Sequence, residues 1–261
     1  MRRLLAIAFL VLLCGPAGAQ SVRFPSVAVG NSPAGPEITG SVYKPSGAGP
    51  FPAIILAHSC AGVGPQTEVW GTLLASWGYL VLAPDSFGPR GVTSVCRRGG
   101  LVSARVRVAD IAGALRFLAT QPDVRPGQIG LIGHSHGGWT VMRAVQKEYG
   151  LAAIGLRAAV AYYPPCMSPS DRDVDVPLLI LIGDKDDWSP AERCRQLQAA
   201  GFARPGLVEA VYYPTAYHNF DSKSPDRTVR GSSGMHRLGY DPVAAPDAEA
   251  RTKAFFARYL R

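Results

Sequence analysis

Residues 128–138 read QIGLIGHSHGG, an apolar run that leads into a serine flanked by glycines. The first five residues are typical of a buried strand, and residues 136–149 show helical spacing that ends at Gly150. Between them, residues 133–137 match the G-x-S-x-G turn, which raises a serine hydroxyl above a sheet. Three fixed positions are a weak match alone, but the strand before Ser135 and the helix after it make the match specific.

Strands and helices alternate along most of the chain. The predicted strands cover residues 22–29, 37–43, 52–57, 79–83, 128–132, 158–161, 178–182 and 207–213, and the predicted helices cover 66–77, 102–120, 136–149, 190–200 and 244–260. This alternation predicts an α/β fold with a mainly parallel sheet of about eight strands and helices on both faces. We expect one domain over residues 20–261. Residues 221–242 show little periodicity, which is typical of a long surface loop or a mobile cleft border.

Residues 1–19 are predicted to be a signal peptide. Two arginines precede an apolar run, and small residues then precede a cleavage site after Ala19. The apolar run is too short to span a bilayer comfortably. Cys14 raises a lipoprotein alternative, but Leu13 stands where that alternative requires a small residue. We therefore expect an exported protein, periplasmic or extracellular, without stable membrane insertion.

The charge pattern argues against a nucleic-acid-binding protein. The net charge is +8 and falls to +6 when the two arginines of residues 1–19 are removed. The remaining basic residues are scattered, and Arg97-Arg98 is their densest pair. Such a surface favours loose association with anionic surfaces at most, and no nucleic-acid motif accompanies it.

Four cysteines remain after residue 19: Cys60, Cys96, Cys166 and Cys194. An even number in an exported chain predicts disulfides, with three possible connectivities. We favour Cys60–Cys96 and Cys166–Cys194, because each pair joins loops at the same predicted edge of the sheet. The alternative is four free thiols packed as small apolar side chains. No Cys or Cys/His spacing indicates a metal site.

The serine of the turn points to nucleophilic chemistry. A serine hydroxyl needs a base, which is expected later in the chain and after an acid. His218 follows the last predicted strand and is the candidate base, with His236 in reserve. Three aspartates within residues 184–187 compete as the acid, and spacing alone does not choose among them. Ser135 and His218 would meet beyond the carboxyl ends of the strands.

An acyl-transfer site also needs two backbone N–H donors for the developing oxyanion. One is expected from His136, the residue after the candidate nucleophile. The other is expected from the loop after the strand at residues 52–57, at Cys60 or Ser59. Cys60 can serve both as a disulfide partner and as a donor, because the donor is a backbone group.

These segments resemble the dienelactone hydrolase family. The resemblance rests on residues 133–137 (GHSHG), on Gly183, Asp186 and Pro190, and on residues 216–220 (AYHNF), and extends from about Pro52 to the final helix. It implies an α/β-hydrolase fold, with Asp186 as the acid, Asp187 as its alternative, and His218 as the base. The chain departs from members that open dienelactones, because those have a cysteine nucleophile where this chain has Ser135. It is more similar to a secreted, disulfide-bearing branch with general esterase character.

The resulting prediction is a serine hydrolase that cleaves carboxylic esters or lactones through an acyl-enzyme. Ser135 would attack, His218 would move the proton, and Asp186 would orient His218. No metal or organic cofactor is implied, and the oligomeric state is left open. One alternative is an amidase or exopeptidase of the prolyl-peptidase type, although the chain lacks a propeller domain. The other is a non-catalytic binding module on the same fold.

Overall fold

The computed structural model describes residues 20–261, so the predicted signal peptide lies outside the described residues. Its strands are β1 (Gln20–Pro25), β2 (Glu37–Tyr43), β3 (Phe51–Ala57), β4 (Leu80–Asp85), β5 (Val124–His134), β6 (Leu156–Tyr162), β7 (Leu178–Gly183), β8 (Val208–Tyr213), β9 (Arg227–Arg230) and β10 (Met235–Leu238). Its α-helices are α1 (Pro65–Ser76), α2 (Ala104–Ala119), α3 (His136–Ala144), α4 (Ala191–Ala199) and α5 (Ala244–Tyr259). Within this part of the chain, no helix is long and apolar enough to cross a membrane.

Eight strands form one sheet in the order β1-β2-β4-β3-β5-β6-β7-β8. The pairs β1–β2 and β2–β4 are antiparallel, and the strands from β4 across to β8 are parallel. Strands β3 and β7 are continuous apolar runs, and every residue of β7 is buried, as is typical of parallel strands covered on both faces. The predicted mainly parallel, eight-stranded sheet is confirmed.

Helices cover both faces of this sheet. A Cβ at Gly130 would meet Phe256 of α5, whereas a Cβ at Gly133 would meet Gly137 of α3. Residues three apart on a strand face opposite sides, so α5 and α3 lie on opposite faces. Helix α1 shares the α5 face, because Trp70 of α1 and Thr252 of α5 both contact Tyr162. Helix α2 packs beside α3 on the other face.

Two segments differ from the sequence-based expectations. Residues 221–242, expected to be a loop, contain the antiparallel hairpin of β9 and β10, which forms a second, two-stranded sheet. The helix expected over residues 136–149 ends at Ala144, because Gln146 is extended and pairs with Val174. A separate short turn of 3-10 helix, Lys147–Tyr149, follows.

Candidate active site

Ser135 lies in a strained turn between β5 and α3. Its φ of 55° falls in the left-handed region that side chains disfavour. The flanking glycines permit the turn, because a Cβ at Gly133 would collide with the Gly137 carbonyl and one at Gly137 with the Ala57 carbonyl. The backbone N–H of Ser135 donates to the Tyr162 carbonyl at 3.0 Å. Strain of this kind persists only where the surroundings enforce it, and it is concentrated at functional sites.

The structure brings Ser135, His218 and Asp186 together. The Ser135 Oγ lies 2.9 Å from Nε2 of His218, and the His218 Nδ1 lies 2.7 Å from Oδ2 of Asp186. Because an ionised carboxylate only accepts, Nδ1 carries the proton and Nε2 can accept from the serine hydroxyl. The second oxygen of Asp186 accepts the backbone N–H groups of Trp188 and Ser189, at 2.9 and 2.7 Å. The carboxylate is therefore fixed on both sides.

The other carboxylates of the loop after β7 lie elsewhere. Asp187 accepts the backbone N–H of Arg237, and its Oδ1 lies 3.5 Å from Nδ1 of His236. Asp184 forms a surface ion pair with Arg195. His236, the reserve base, therefore lies in the hairpin and contacts Asp187. The structure thus places Asp186, and not Asp187, against the candidate base.

Two aromatic rings pack against the His218 imidazole. Tyr163 lies 4.6 Å from it, and Trp188 lies 5.1 Å from it, between ring centroids. Trp188 also stacks on His236 of the hairpin at 4.8 Å. The hairpin and the candidate base therefore contact the same indole ring.

A buried polar network underlies this site, and the sequence analysis did not identify it. Asp221 accepts the Tyr163 hydroxyl at 2.7 Å and the Trp70 indole N–H at 2.8 Å. Gln66 donates to the Tyr163 hydroxyl and to the Asn219 side chain, at 2.9 and 3.0 Å. This network fixes the residues that follow His218. Its members lie far apart in the sequence, so no local pattern joins them.

The candidate oxyanion donors follow β3 and Ser135. Among the described residues, the backbone N–H groups of His136, Ser59 and Cys60 donate to no protein acceptor. The N–H of His136 also belongs to the first turn of α3, where the helix dipole favours negative charge. The geometry is compatible with His136 as one donor and either Cys60 or Ser59 as the other.

Both expected disulfide pairings are present. Cys60 is bonded to Cys96 with an S–S distance of 2.05 Å, and Cys166 is bonded to Cys194 with a distance of 2.01 Å. The first bond joins the loop after β3 to the irregular segment before α2. It therefore anchors one of the candidate oxyanion segments.

Ser135 and His218 open into a cavity of about 1320 Å³. Residues of helix α1, of the hairpin and of the segment after His218 contribute to its lining. Three basic side chains border it: Lys223, Arg227 and Arg230. Within residues 20–261, no cluster of three His, Cys, Asp or Glu side chains is arranged to hold a metal ion.

Comparison with known proteins agrees with this architecture. A putative carboxymethylenebutenolidase of Synechocystis is 24% identical over 244 residues, which cover 86% of this chain and 93% of that protein. The crystal structure of a putative dienelactone hydrolase from Klebsiella pneumoniae superposes with a TM-score of 0.69 at 21% identity, covering 93% of this chain and 100% of that one. An acylaminoacyl peptidase from Pyrococcus horikoshii superposes with a TM-score of 0.64 at 18% identity, covering 93% of this chain and 41% of that one.

The fold is therefore the α/β-hydrolase fold, as the sequence predicted. The sequence model of the dienelactone hydrolase family matches residues 38–260, nearly all of the described chain. The chain belongs to the dienelactone hydrolase family, a family of hydrolases.

Proposed function

We propose that this protein is a serine hydrolase that cleaves carboxylic esters or lactones through an acyl-enzyme. One observation carries the proposal: the continuous chain of hydrogen bonds from Ser135 through His218 to Asp186, at 2.9 and 2.7 Å. Membership of a hydrolase family supports the same class of reaction. The serine in place of a cysteine favours general esters and lactones over dienelactones.

In the first half-reaction, the Ser135 oxygen bonds to the ester carbonyl carbon while Nε2 of His218 takes the hydroxyl proton. The carbon–oxygen bond to the alcohol then breaks, and the same proton passes to the departing oxygen. This leaves the acyl group on Ser135. In the second half-reaction, the oxygen of a water molecule attacks the acyl carbon while His218 takes a proton from that water. The carboxylic acid leaves, and Ser135 regains its proton.

Asp186 holds the imidazole in the tautomer that these two half-reactions need, and it stabilises the imidazolium that forms. In this proposal, the backbone N–H groups of His136 and Cys60 donate hydrogen bonds to the oxyanion. Donors of this kind act without reorganisation at the moment of reaction, and losing one typically reduces kcat by roughly 100- to 1000-fold.

We also propose that the protein is exported and works in an oxidising compartment. Two disulfides within the described chain support this, because such bonds persist outside the reducing cytosol. Mass spectrometry of the protein recovered from its native host gives the mature N-terminus, which we expect directly after Ala19. Recovery of intact residues 1–19 would contradict export by cleavage.

A fluorophosphonate probe tests the hydrolase proposal. We expect it to label Ser135 in the folded protein, as peptide mapping would show, and we expect the protein to hydrolyse p-nitrophenyl acetate. Ser135→Ala should abolish both, whereas Ser170→Ala, which changes an exposed serine, should retain both. A folded parent protein that neither reacts with the probe nor hydrolyses the ester would contradict the proposal.

A further inference from the structure

Arg107 is a buried cation, and among the described residues no carboxylate is bonded to it. The side chain lies in the first turns of α2, and the residue is 1% exposed. The nearby carboxylate of Asp110 is paired with Arg90, which donates to both of its oxygens at 2.9 and 2.8 Å. Among the described residues, Arg107 forms no ion pair, and its Nε has no hydrogen-bond partner.

The guanidinium instead joins the two segments that carry the proposed oxyanion donors. Its Nη2 donates to the carbonyl of His58, at 2.9 Å, and its Nη1 donates to Nδ1 of His136, at 2.8 Å. His58 directly precedes Ser59 and Cys60, and His136 supplies the other donor from its own backbone. One planar group therefore sets the separation between both sides of the proposed hole.

The contacts continue into a closed ring. Because Nδ1 of His136 accepts from Arg107, its Nε2 carries the proton and donates to the carbonyl of Gly99, at 3.0 Å. Gly99 follows Cys96, which is bonded to Cys60 in the loop after β3. The series of contacts therefore closes on the loop after β3, whose His58 carbonyl accepts from Arg107.

The charge of Arg107 is not neutralised by this ring. Burial, together with Arg107 itself, lowers the pKa of His136 to about 3, so the imidazole is neutral near pH 7. Burial lowers the pKa of Arg107 to about 9, which leaves the guanidinium protonated there. A buried charge without a bonded carboxylate is expensive in folding stability, and the hydrogen bonds that Arg107 donates to two buried acceptors offset part of that cost. The protonated guanidinium therefore joins two uncharged acceptors, the His58 carbonyl and the His136 ring.

We propose that Arg107 is a positioning residue of the oxyanion hole. By holding the His58 carbonyl and the His136 ring at once, it directs the backbone N–H groups of Cys60 and His136 toward one point. The inference rests on the proposed function, because it concerns the same acyl-transfer site. Arg107 acts through the two backbone segments and touches no reacting atom.

Kinetics of Arg107→Met and Arg107→Lys on p-nitrophenyl acetate test this role. Displacing donors by even about 1 Å can reduce the rate by roughly 100-fold. We expect Arg107→Met to reduce kcat by about 10- to 100-fold with KM within about 3-fold of the parent. Arg107→Lys keeps the charge but not the planar fork, so its kcat should lie between those of the parent and Arg107→Met. Arg143→Met, at the far end of α3, is the matched control and should retain parental kcat.

A second measurement separates positioning from a general structural effect. Phenylboronic acid forms a tetrahedral adduct with an active serine, so its inhibition constant should rise in parallel with the loss of kcat while KM stays constant. Thermal unfolding of each variant shows whether it is folded. A folded Arg107→Met with kcat within about 3-fold of the parent would overturn the inference. If Arg107→Met does not fold, parental kcat and parental boronate affinity in Arg107→Lys would overturn it. Failure of the parent itself to hydrolyse the ester would instead contradict the proposed function.

Discussion

Helix α1 offers a site for an extended apolar chain attached to the ester. Pro65, Val69, Leu73 and Ser76 all line the cavity that contains Ser135, so the cavity follows α1 from its first residue to its last. At a rise of about 1.5 Å per residue, this wall is about 16 Å long. With carbon–carbon bonds of about 1.5 Å, a staggered chain advances roughly 1.25 Å per carbon. The wall could therefore accommodate about a dozen carbons.

The gain in kcat/KM for each added methylene follows from the burial of that methylene. A fully buried methylene contributes about 0.8 kcal/mol, which is roughly fourfold in affinity. In a groove open to solvent on one side, about half of that remains, so each methylene should raise kcat/KM about twofold. From acetate to octanoate, six methylenes should give a rise of about 60-fold in kcat/KM.

Val69→Asp should reduce the preference for octanoate over acetate. Val69 is 65% exposed and lines the middle of the groove, so an aspartate there puts a carboxylate beside the chain without disturbing the core. We expect the ratio of octanoate to acetate hydrolysis to fall about tenfold, because contact with the chain partly desolvates the carboxylate. Val243→Asp introduces the same charge at a valine that is 76% exposed and lies outside the cavity lining.

The assay is a series of p-nitrophenyl esters from acetate to dodecanoate, measured as kcat/KM for the parent and both variants. The reasoning would be refuted if the parent showed less than about a threefold gain from acetate to octanoate. It would equally be refuted if Val69→Asp and Val243→Asp changed the ratio by the same factor. Unchanged acetate hydrolysis in Val69→Asp would show that Ser135 and His218 are unaffected.

Three further predictions concern the acid, the first disulfide and the buried histidines. Asp186→Asn should lower kcat by roughly 10,000-fold through the wrong imidazole tautomer, whereas Asp187→Asn should cost less than about tenfold; equal losses would contradict the choice of acid. Replacing both Cys60 and Cys96 by serine opens a loop with a sequence separation of 36 and should lower the free energy of unfolding by about 4 kcal/mol, read from urea denaturation; an unchanged midpoint would contradict this. Burial lowers the pKa of His134 to about 4 and that of His136 to about 3, so the folded state resists their protonation, and as the pH falls from 6.5 to 4 each of them should lower the free energy of unfolding by up to about 1.4 kcal/mol per pH unit; urea denaturation at pH 7, 6 and 5 that showed constant stability would count against it.

The central sheet and the candidate triad could be predicted from the sequence for a common reason. Strands such as β3 and β7 are buried on both faces, so their apolar runs stand out against the turn residues that bound them. In a parallel sheet the carboxyl ends share one edge, so Ser135, Asp186 and His218 are placed together by chain order alone. Spacing alone left Asp186 and Asp187 open, the family resemblance favoured Asp186, and the distance of 2.7 Å between Asp186 and His218 agrees with that choice.

The hairpin of β9 and β10 could not be predicted, because its strands carry little pattern. Each has only four residues; β9 is mostly exposed, and β10 alternates between exposed and buried positions over a length too short to stand out. Its position depends on tertiary contacts: His236 stacks on Trp188, and a Cβ at Gly231 would lie 2.7 Å from that indole. The Asp221 network escaped prediction for the same reason. Its partners come from α1, the loop after β6 and the segment after His218, so only the folded chain brings them together.

The residues that the sequence identified and those that it missed have different consequences for the proposed reaction. In the proposed reaction, Ser135, His218 and Asp186 carry out the bond cleavage, and their arrangement follows from the sheet. The hairpin and Asp221 contribute to the lining of the cavity. Trp188 joins the two groups, since one indole contacts both His218 and His236. A substitution that moved the hairpin would therefore alter both the cavity and the support of the imidazole, so changes in substrate preference from that region should be accompanied by changes in kcat.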